Sequence, residues 1–296
     1  MVTPLRAGCL LGIALAGAML PGTAHAIDPL GARYLDDADE LFWFVQITDS
    51  HVGEDLLGGT QDTDNLGWVL GEAAETIQPT FVVLTGDIVD ATDGGAVPYQ
   101  QYQAEWDEYR GVVDGLGVDA TFLHDVCGNH DTYRDEGATY YLANSLLGAT
   151  HGRLHEAWTH DTGVGEYLFV GLNSADTSGP FPGFDHPGLD AAELTFLEDT
   201  LVAYQDARLA FVFTHHPLHE LDQGASEFMG LLADHRVSVW ANGHDHDHRV
   251  EIHGNTLHFN LDSLGKADEN NLGLFAVDHD GVSARGLDID DWPYVL

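Results

Sequence analysis

Leu41-Phe42-Trp43-Phe44-Val45-Gln46-Ile47-Thr48-Asp49-Ser50-His51 is an apolar, β-prone run that ends on a carboxylate and an imidazole. The same punctuation recurs four times further on. Phe81-Val82-Val83-Leu84-Thr85 gives way to Gly86-Asp87-Ile88-Val89-Asp90, and the run Thr121 to Cys127 gives way to Gly128-Asn129-His130-Asp131. Leu209 to Thr214 is followed by His215-His216-Pro217, and Val237 to Asn242 by Gly243-His244-Asp245-His246. Such runs read as buried strands.

Helix-patterned stretches lie between the strand-like runs, at Asp64 to Ile77, Tyr99 to Leu116, Thr139 to Leu147, Ala191 to Tyr204 and Ala225 to Asp234. A further strand-like run is Tyr167 to Leu172. The alternation predicts an α/β fold. From Arg249 the pattern changes to short alternating runs, Val250 to His253, Thr256 to Leu261, Leu272 to Val277 and Val282 to Leu287. These read as antiparallel strands closing one side of the core. No internal repeat or linker divides the chain, so residues 41–296 read as one domain.

In open α/β sheets, ligands bind beyond the carboxyl ends of the strands, and all five polar clusters sit there. Asp49 and His51 are two residues apart. In extended backbone they point the same way and can share a metal. Asp87 alone would be an ordinary helix cap. Its two oxygens can also bridge two cations, with Gly86 permitting close approach, and Asp90 is placed to hold a ligand imidazole. Asn129 offers a neutral carbonyl oxygen. His130, next in the chain, should point elsewhere, which suits one ligand and one proton donor. His244 and His246 flank Asp245 on a tight turn.

The run His244-Asp245-His246-Asp247-His248 also approaches the metal motif of the metallo-β-lactamase fold. That motif needs one more residue before its Asp-His pair, and the other four clusters have no place in it. The ordered set Asp-x-His, Gly-Asp-x-x-Asp, Gly-Asn-His-Asp, His-x-Pro and Gly-His-x-His instead resembles the calcineurin-like metallophosphoesterases, from about Phe44 to His246. The resemblance implies a four-layer α/β/β/α sandwich with mixed sheets and a dinuclear metal centre. It implies that Asp49, His51, Asp87 and His246 bind one ion. Asp87, Asn129, His215 and His244 would bind the other, with Asp87 bridging. His215 takes the ligand role because the family pattern places it two before the proline, which leaves His216 beside the centre or facing substrate. His130 resembles the family's catalytic histidine.

The expected cofactors are two divalent or trivalent transition-metal ions, manganese, iron, zinc or cobalt, since the donor set mixes nitrogen and oxygen. The expected reaction is hydrolysis of a phosphodiester or phosphomonoester by in-line attack of a metal-bound hydroxide. The partner is then a small phosphate ester. The alternative is a catalytically silent metal-binding or scaffold protein on the same fold. Purple acid phosphatases of this superfamily carry a tyrosine ligand three residues after the bridging aspartate. Asp90 stands there instead, so no tyrosinate-to-iron colour is expected. The stretches Leu261 to Lys266 and Phe275 to Asp280 resemble the tail of this domain in some membrane-linked members.

Residues 1–26 read as a signal peptide: Arg6, an apolar run from Cys9 to Leu20, and Ala24-His25-Ala26 as the cleavage site. The apolar run is too short for a stable membrane span. Residues 27–40 are a polar lead-in. Export, to periplasm or exterior, is the expectation, and cleavage after Ala26 would leave Cys127 as the single cysteine, unable to form an internal disulfide. The chain carries 10 basic and 49 acidic residues, a net charge of −39. Such a surface repels nucleic acid and anionic membranes and suits a salty medium that screens self-repulsion.

Overall fold

The computed structural model describes residues 41–53, 61–92, 99–178, 181–184, 186–265, 270–278 and 281–289. The expected signal peptide and lead-in, residues 1–40, lie outside the described residues. All described residues belong to one compact unit, Asp39–Leu296.

The strand-like runs become strands with burial sorted by period two. In β1 (Phe42–Ile47), Phe42 and Phe44 face one way, and Val45 and Ile47 the other. β2 (Val82–Thr85) and β3 (Leu123–Val126) run parallel beside β1. β10 (Asn271–Asp278) adds antiparallel to β1, and β11 (Gly281–Asp288) closes the edge. The first sheet therefore has the order β11-β10-β1-β2-β3. The second sheet has the order β4-β5-β6-β7-β9-β8. Its members are β4 (Glu156–Asp161), β5 (Glu166–Gly171), β6 (Ala210–Phe213), β7 (Val239–Asn242), β8 (Arg249–His253) and β9 (Thr256–Asn260). β5, β6, β7 and β9 are parallel, with β4 and β8 antiparallel at the two edges.

Helices cover the outer faces. α1 (Gln61–Trp68) runs on through a π turn, Val69–Ala73, and a last α turn, Ala74–Ile77. With α2 (Gln103–Leu116), α3 (Thr139–Asn144) and α4 (Leu146–His151), it covers the first sheet through Leu66, Val69, Trp106, Tyr109 and Tyr141. α5 (Ala191–Ala203) and α6 (Ala225–Asp234) cover the second through Leu194, Leu197, Phe228 and Leu232. The result is the expected four-layer α/β/β/α sandwich.

The sequence reading holds for the C-terminal strands and misses at two other points. The C-terminal strands do close one side of the core, where Phe259 of β9 packs 5.0 Å from Phe275 of β10, but they do so as two pairs in different sheets. One pair, β8 and β9, extends the second sheet, and the other, β10 and β11, extends the first, so each sheet gains an edge of its own. β4 escaped the sequence reading because an edge strand needs little apolar content, and Trp158 is its one large hydrophobe. The stretch Thr139 to Leu147 is two helices. Ser145 is extended there and caps the second by accepting from Gly148 N, while Asp125 accepts from Leu146 N and Leu147 N.

Between the sheets lies an aromatic layer centred on Phe44, which is fully buried. Its ring meets Phe275 at 4.7 Å, Phe81 at 5.2 Å, Phe211 at 5.5 Å and Phe169 at 5.6 Å. These contacts bind β1 to both sheets and fix the strand ends that carry the polar clusters. Phe44→Ala should cost about 3–5 kcal/mol of stability, read as a lower denaturant midpoint. A loss under about 1 kcal/mol would show that the layer is not the mechanical link between the sheets.

Candidate metal centre

The polar clusters converge at the carboxyl ends of five strands from both sheets. Asp49 and His51 follow β1, Asp87 follows β2, and Asn129 and His130 follow β3. His215 follows β6, and His244 and His246 follow β7. The loops after β1 and β2 run side by side: Asp49 N donates to Gly86 O, His51 N to Asp87 O and Val52 N to Ile88 O. Gly243 N donates to His215 O, tying the two clusters of the second sheet.

Asp49 and His51 are not extended, as their spacing suggested. Their φ values are 51° and 45°, in the left-handed region, and Asp87, His244 and His246 sit there too at 50°, 72° and 48°. Non-glycine residues seldom adopt this conformation. Two glycines make the crowding tolerable. A Cβ on Gly86 would come 2.5 Å from the His215 ring, and one on Gly243 would collide with Thr48 and Asp49.

All eight predicted residues meet here, in two groups joined by one oxygen. In the first group, His246 Nε2 lies 3.1 Å from Asp49 Oδ1 and 3.3 Å from His51 Nε2. In the second, His215 Nε2 lies 3.0 Å from Asn129 Oδ1 and 3.2 Å from His244 Nδ1. Asp87 Oδ2 faces both, 3.1 Å from His215 Nε2 and 4.0 Å from His51 Nε2. His130 stands on a third side, its Nε2 3.8 Å from the same oxygen. Apart from His130, His244 and His246, which are partly exposed, these residues are buried.

Partners behind the site set which atoms face inward. His215 Nδ1 donates to Thr85 O at 2.8 Å, so its Nε2 offers a lone pair toward Asp87 and Asn129, which are also acceptors. Asn129 Nδ2 donates to the Tyr133 hydroxyl at 2.8 Å, which turns Oδ1 inward. Asp49 Oδ2 accepts from Thr48 Oγ1 and His244 N, which leaves Oδ1 for the site. Asp90 Oδ1 sits 3.2 Å from His51 Nδ1, the place the sequence assigned to it. At His215, Asn129, Asp49, Asp87 and His51 acceptors face acceptors, and a proton or a metal cation between them removes that conflict.

The titration behaviour follows. Burial pulls the His51 imidazole down, but Asp90, Asp87 and Asp49 outweigh it and hold it at about 9. Burial likewise opposes His215, while Asp87 and Asp49 raise it to about 9. Burial and the neighbouring His215 push His244 down to about 4. Burial raises the Asp87 carboxyl, yet His215, His130 and His51 bring it well below its ordinary value. Burial lowers His130, with Asp87 opposing.

Three supporting residues were not assigned roles from sequence. Asp131 Oδ1 accepts from Ile88 N and Val89 N and its Oδ2 from Gly128 N, which clamps the β2 and β3 loops together. Its place inside the third cluster was the available signal. Tyr133 orients Asn129, as above. Ser174 Oγ accepts from His215 N and His216 N, so its proton goes to His216 Nδ1, 2.9 Å away. That leaves the His216 proton on Nε2, a donor and not a metal ligand. Nothing in the sequence marks Ser174.

The chain is 27% identical to Transmembrane protein 62 of Mus musculus over 276 residues, 88% of this chain and 41% of that protein. It is 25% identical over 244 residues to an Arabidopsis thaliana protein described as a metallophosphoesterase, covering 75% of this chain and 32% of that one. It thus spans under half the length of both relatives. Among solved structures, a dimetal phosphatase from Danio rerio superposes with a TM-score of 0.64 at 15% identity, covering 83% of this chain and 96% of that one. GAP50, the anchor in the inner membrane complex of Plasmodium, superposes with a TM-score of 0.54 at 12% identity, covering 87% of each. At such identities the likeness is one of fold. The sequence profile of the calcineurin-like phosphoesterases matches residues 42–248, which carry every cluster described above. The chain belongs to the calcineurin-like phosphoesterase family.

Proposed function

We propose that this chain hydrolyses phosphate esters at a two-metal centre in which Asp87 bridges. Asp49, His51 and His246 complete one cation site, and Asn129, His215 and His244 complete the other. The observation that supports this most is the placement of Asp87 Oδ2 between two groups of inward-facing lone pairs. Two cations bound there would polarise a phosphoryl group and supply a nucleophile at neutral pH.

The protein's own part is positioning and proton handling. His130 Nδ1 donates to the Asp90 carbonyl at 2.8 Å, so a second proton, on Nε2, makes the ring cationic. We assign that proton to the leaving oxygen of the ester as the P–O bond breaks, after which the ring is neutral with Nδ1–H still held by Asp90. His216 presents an Nε2–H donor suited to a phosphoryl oxygen. The substrate is a small phosphate mono- or diester. Residues 1–26 support export, and among the described residues no helix is long and apolar enough to cross a membrane. The rival reading, a scaffold without catalysis, predicts missing ligands, and every ligand position is filled.

Asp87→Ala should lose both ions by elemental analysis. His130→Ala should keep both and lose about 10²–10⁴-fold in turnover. The loss should be largest for alkyl esters, whose leaving oxygen needs the proton, and smallest for nitrophenyl esters. Wild-type turnover of alkyl esters by His130→Ala would remove His130 from the mechanism.

His51 and His215, held at about 9, are protonated at pH 7 in the metal-free chain and must shed those protons to bind metal. His244, at about 4, has none to shed. Metal loading at pH 7 should therefore release about two protons from these two rings. Affinity should rise with pH and flatten above about 9. Calorimetry in buffers of different ionisation enthalpy reads this directly. Heats independent of the buffer would contradict the assignment.

The surface poses a separate condition. A phosphate ester must approach a chain of net charge −39. Added salt shortens the Debye length from about 10 Å at 0.1 M to about 3 Å at 1 M, while the short-range field of bound cations persists. Activity should rise with salt over this range, and a steady fall in kcat/KM would count against the proposal.

A further inference from the structure

Three aromatic rings stand on the His130 side of the centre. Tyr133 connects them to it: its hydroxyl holds Asn129, and its ring centroid lies 4.8 Å from that of His130. Phe184 packs on Tyr133 at 4.5 Å, and Tyr99 lies 5.3 Å from Tyr133 and 5.7 Å from Phe184. Tyr133 is buried, whereas Tyr99 and Phe184 are 45% and 42% exposed. Large exposed aromatics beside a reactive centre need a reason in so polar a chain.

Both exposed rings are held where they are. Tyr99 adopts a φ of 64°, a strained conformation for a bulky residue, with its N–H donating to Ala91 O at 2.8 Å. The Phe184 loop is fixed by Gly183 N donating to Asp176 O and Arg134 N donating to Pro182 O. Gly183 lies so close to the site that a Cβ there would come 2.7 Å from Asn129 O and 2.6 Å from the Tyr133 ring.

We infer that Tyr99, Tyr133 and Phe184 form the leaving-group subsite, and that it selects phosphate esters whose leaving group carries a planar aromatic ring. This rests on the phosphoesterase reading, in which the leaving oxygen takes its proton from His130. The leaving group must then lie against His130, whose ring stands 4.8 Å from Tyr133, the ring on which Tyr99 and Phe184 pack. A planar ring is favoured over a quaternary ammonium group because the centroids are only 4.5–5.7 Å apart. The three rings fill the space among themselves and leave no cage, so they offer outer faces and edges to a flat partner.

The test uses non-hydrolysable analogues on the metal-loaded full chain: 2-phenylethylphosphonate, 2-cyclohexylethylphosphonate and methylphosphonate, with Kd read by calorimetry. The phenyl analogue should bind about tenfold more tightly than the cyclohexyl one. Phe184→Ala and Tyr99→Ala should each erase most of that difference and leave methylphosphonate affinity unchanged. The matching esters should show the same ordering in kcat/KM. Equal affinity for phenyl and cyclohexyl analogues, or a preference untouched by both substitutions, would overturn the subsite while leaving the phosphoesterase reading intact. Failure of methylphosphonate and both larger analogues to bind would instead overturn that reading, and this inference with it.

Discussion

Asp87 Oδ2 faces the Nε2 atoms of His51, His130 and His215 at 4.0, 3.8 and 3.1 Å, at the buried end of a sandwich. Asp49, Asp90 and Asp131 are buried around it. Four carboxylates so placed are costly to desolvate unless cations compensate them. In the metal-free chain the compensation comes from protons on His51 and His215, which explains why burial fails to lower these two rings. With metal bound, the same lone pairs turn to the ion and the protons leave. Asp131 shows what happens without such a partner: burial and the nearby Asp87 push its carboxyl well up, against three backbone donors.

The arrangement depends on backbone that the chain would not adopt unaided. Five of the eight converging residues hold positive φ, each a local cost of about 1–3 kcal/mol. The cost is offset by the regular structure behind them. Phe44 and its neighbours lock the strand ends, the parallel loops after β1 and β2 exchange backbone hydrogen bonds, and Ser263 Oγ with Gly265 N closes over the Asp49 carbonyl. Packing of the two sheets therefore transmits directly to ligand geometry, since the first sheet supplies Asp87 and the second supplies His215.

Much of this was legible in the chain because buried strands and metal ligands both leave strong local marks. Aromatic and β-branched runs announce strands wherever both faces are covered, and five of them ended on ligand-type residues. What was not legible depends on weaker forces. β4 is an edge strand and needs no apolar signature. Ser145 breaks a helix only because Asp125, twenty residues earlier, receives the freed N–H groups. β8 to β11 showed as antiparallel strands, but how they pair and which sheet each pair joins is decided by tertiary packing. Asp49 and His51 were matched to one ion by assuming extended backbone. They do converge, through left-handed geometry that spacing alone cannot reveal.

Fold likeness alone does not separate an enzyme from an anchor, since both a dimetal phosphatase and the GAP50 anchor superpose on this chain. The strained backbone supplies an argument that likeness does not. A scaffold would lose nothing by replacing Asp49, His51, Asp87, His244 or His246 with residues that relax the chain, and would gain stability by shedding buried carboxylates. Strain held at five positions, each presenting a donor atom inward, with Asp49, His51 and Asp87 also held from behind by Thr48, Asp90 and the His130 N–H, is costly unless ions occupy the space between. Thr85, Asp90, Tyr133 and Ser174 touch no ion site themselves, yet all four orient a group that faces the centre. Such a supporting layer orients ligands for bound ions, which is what the proposed two-metal centre requires.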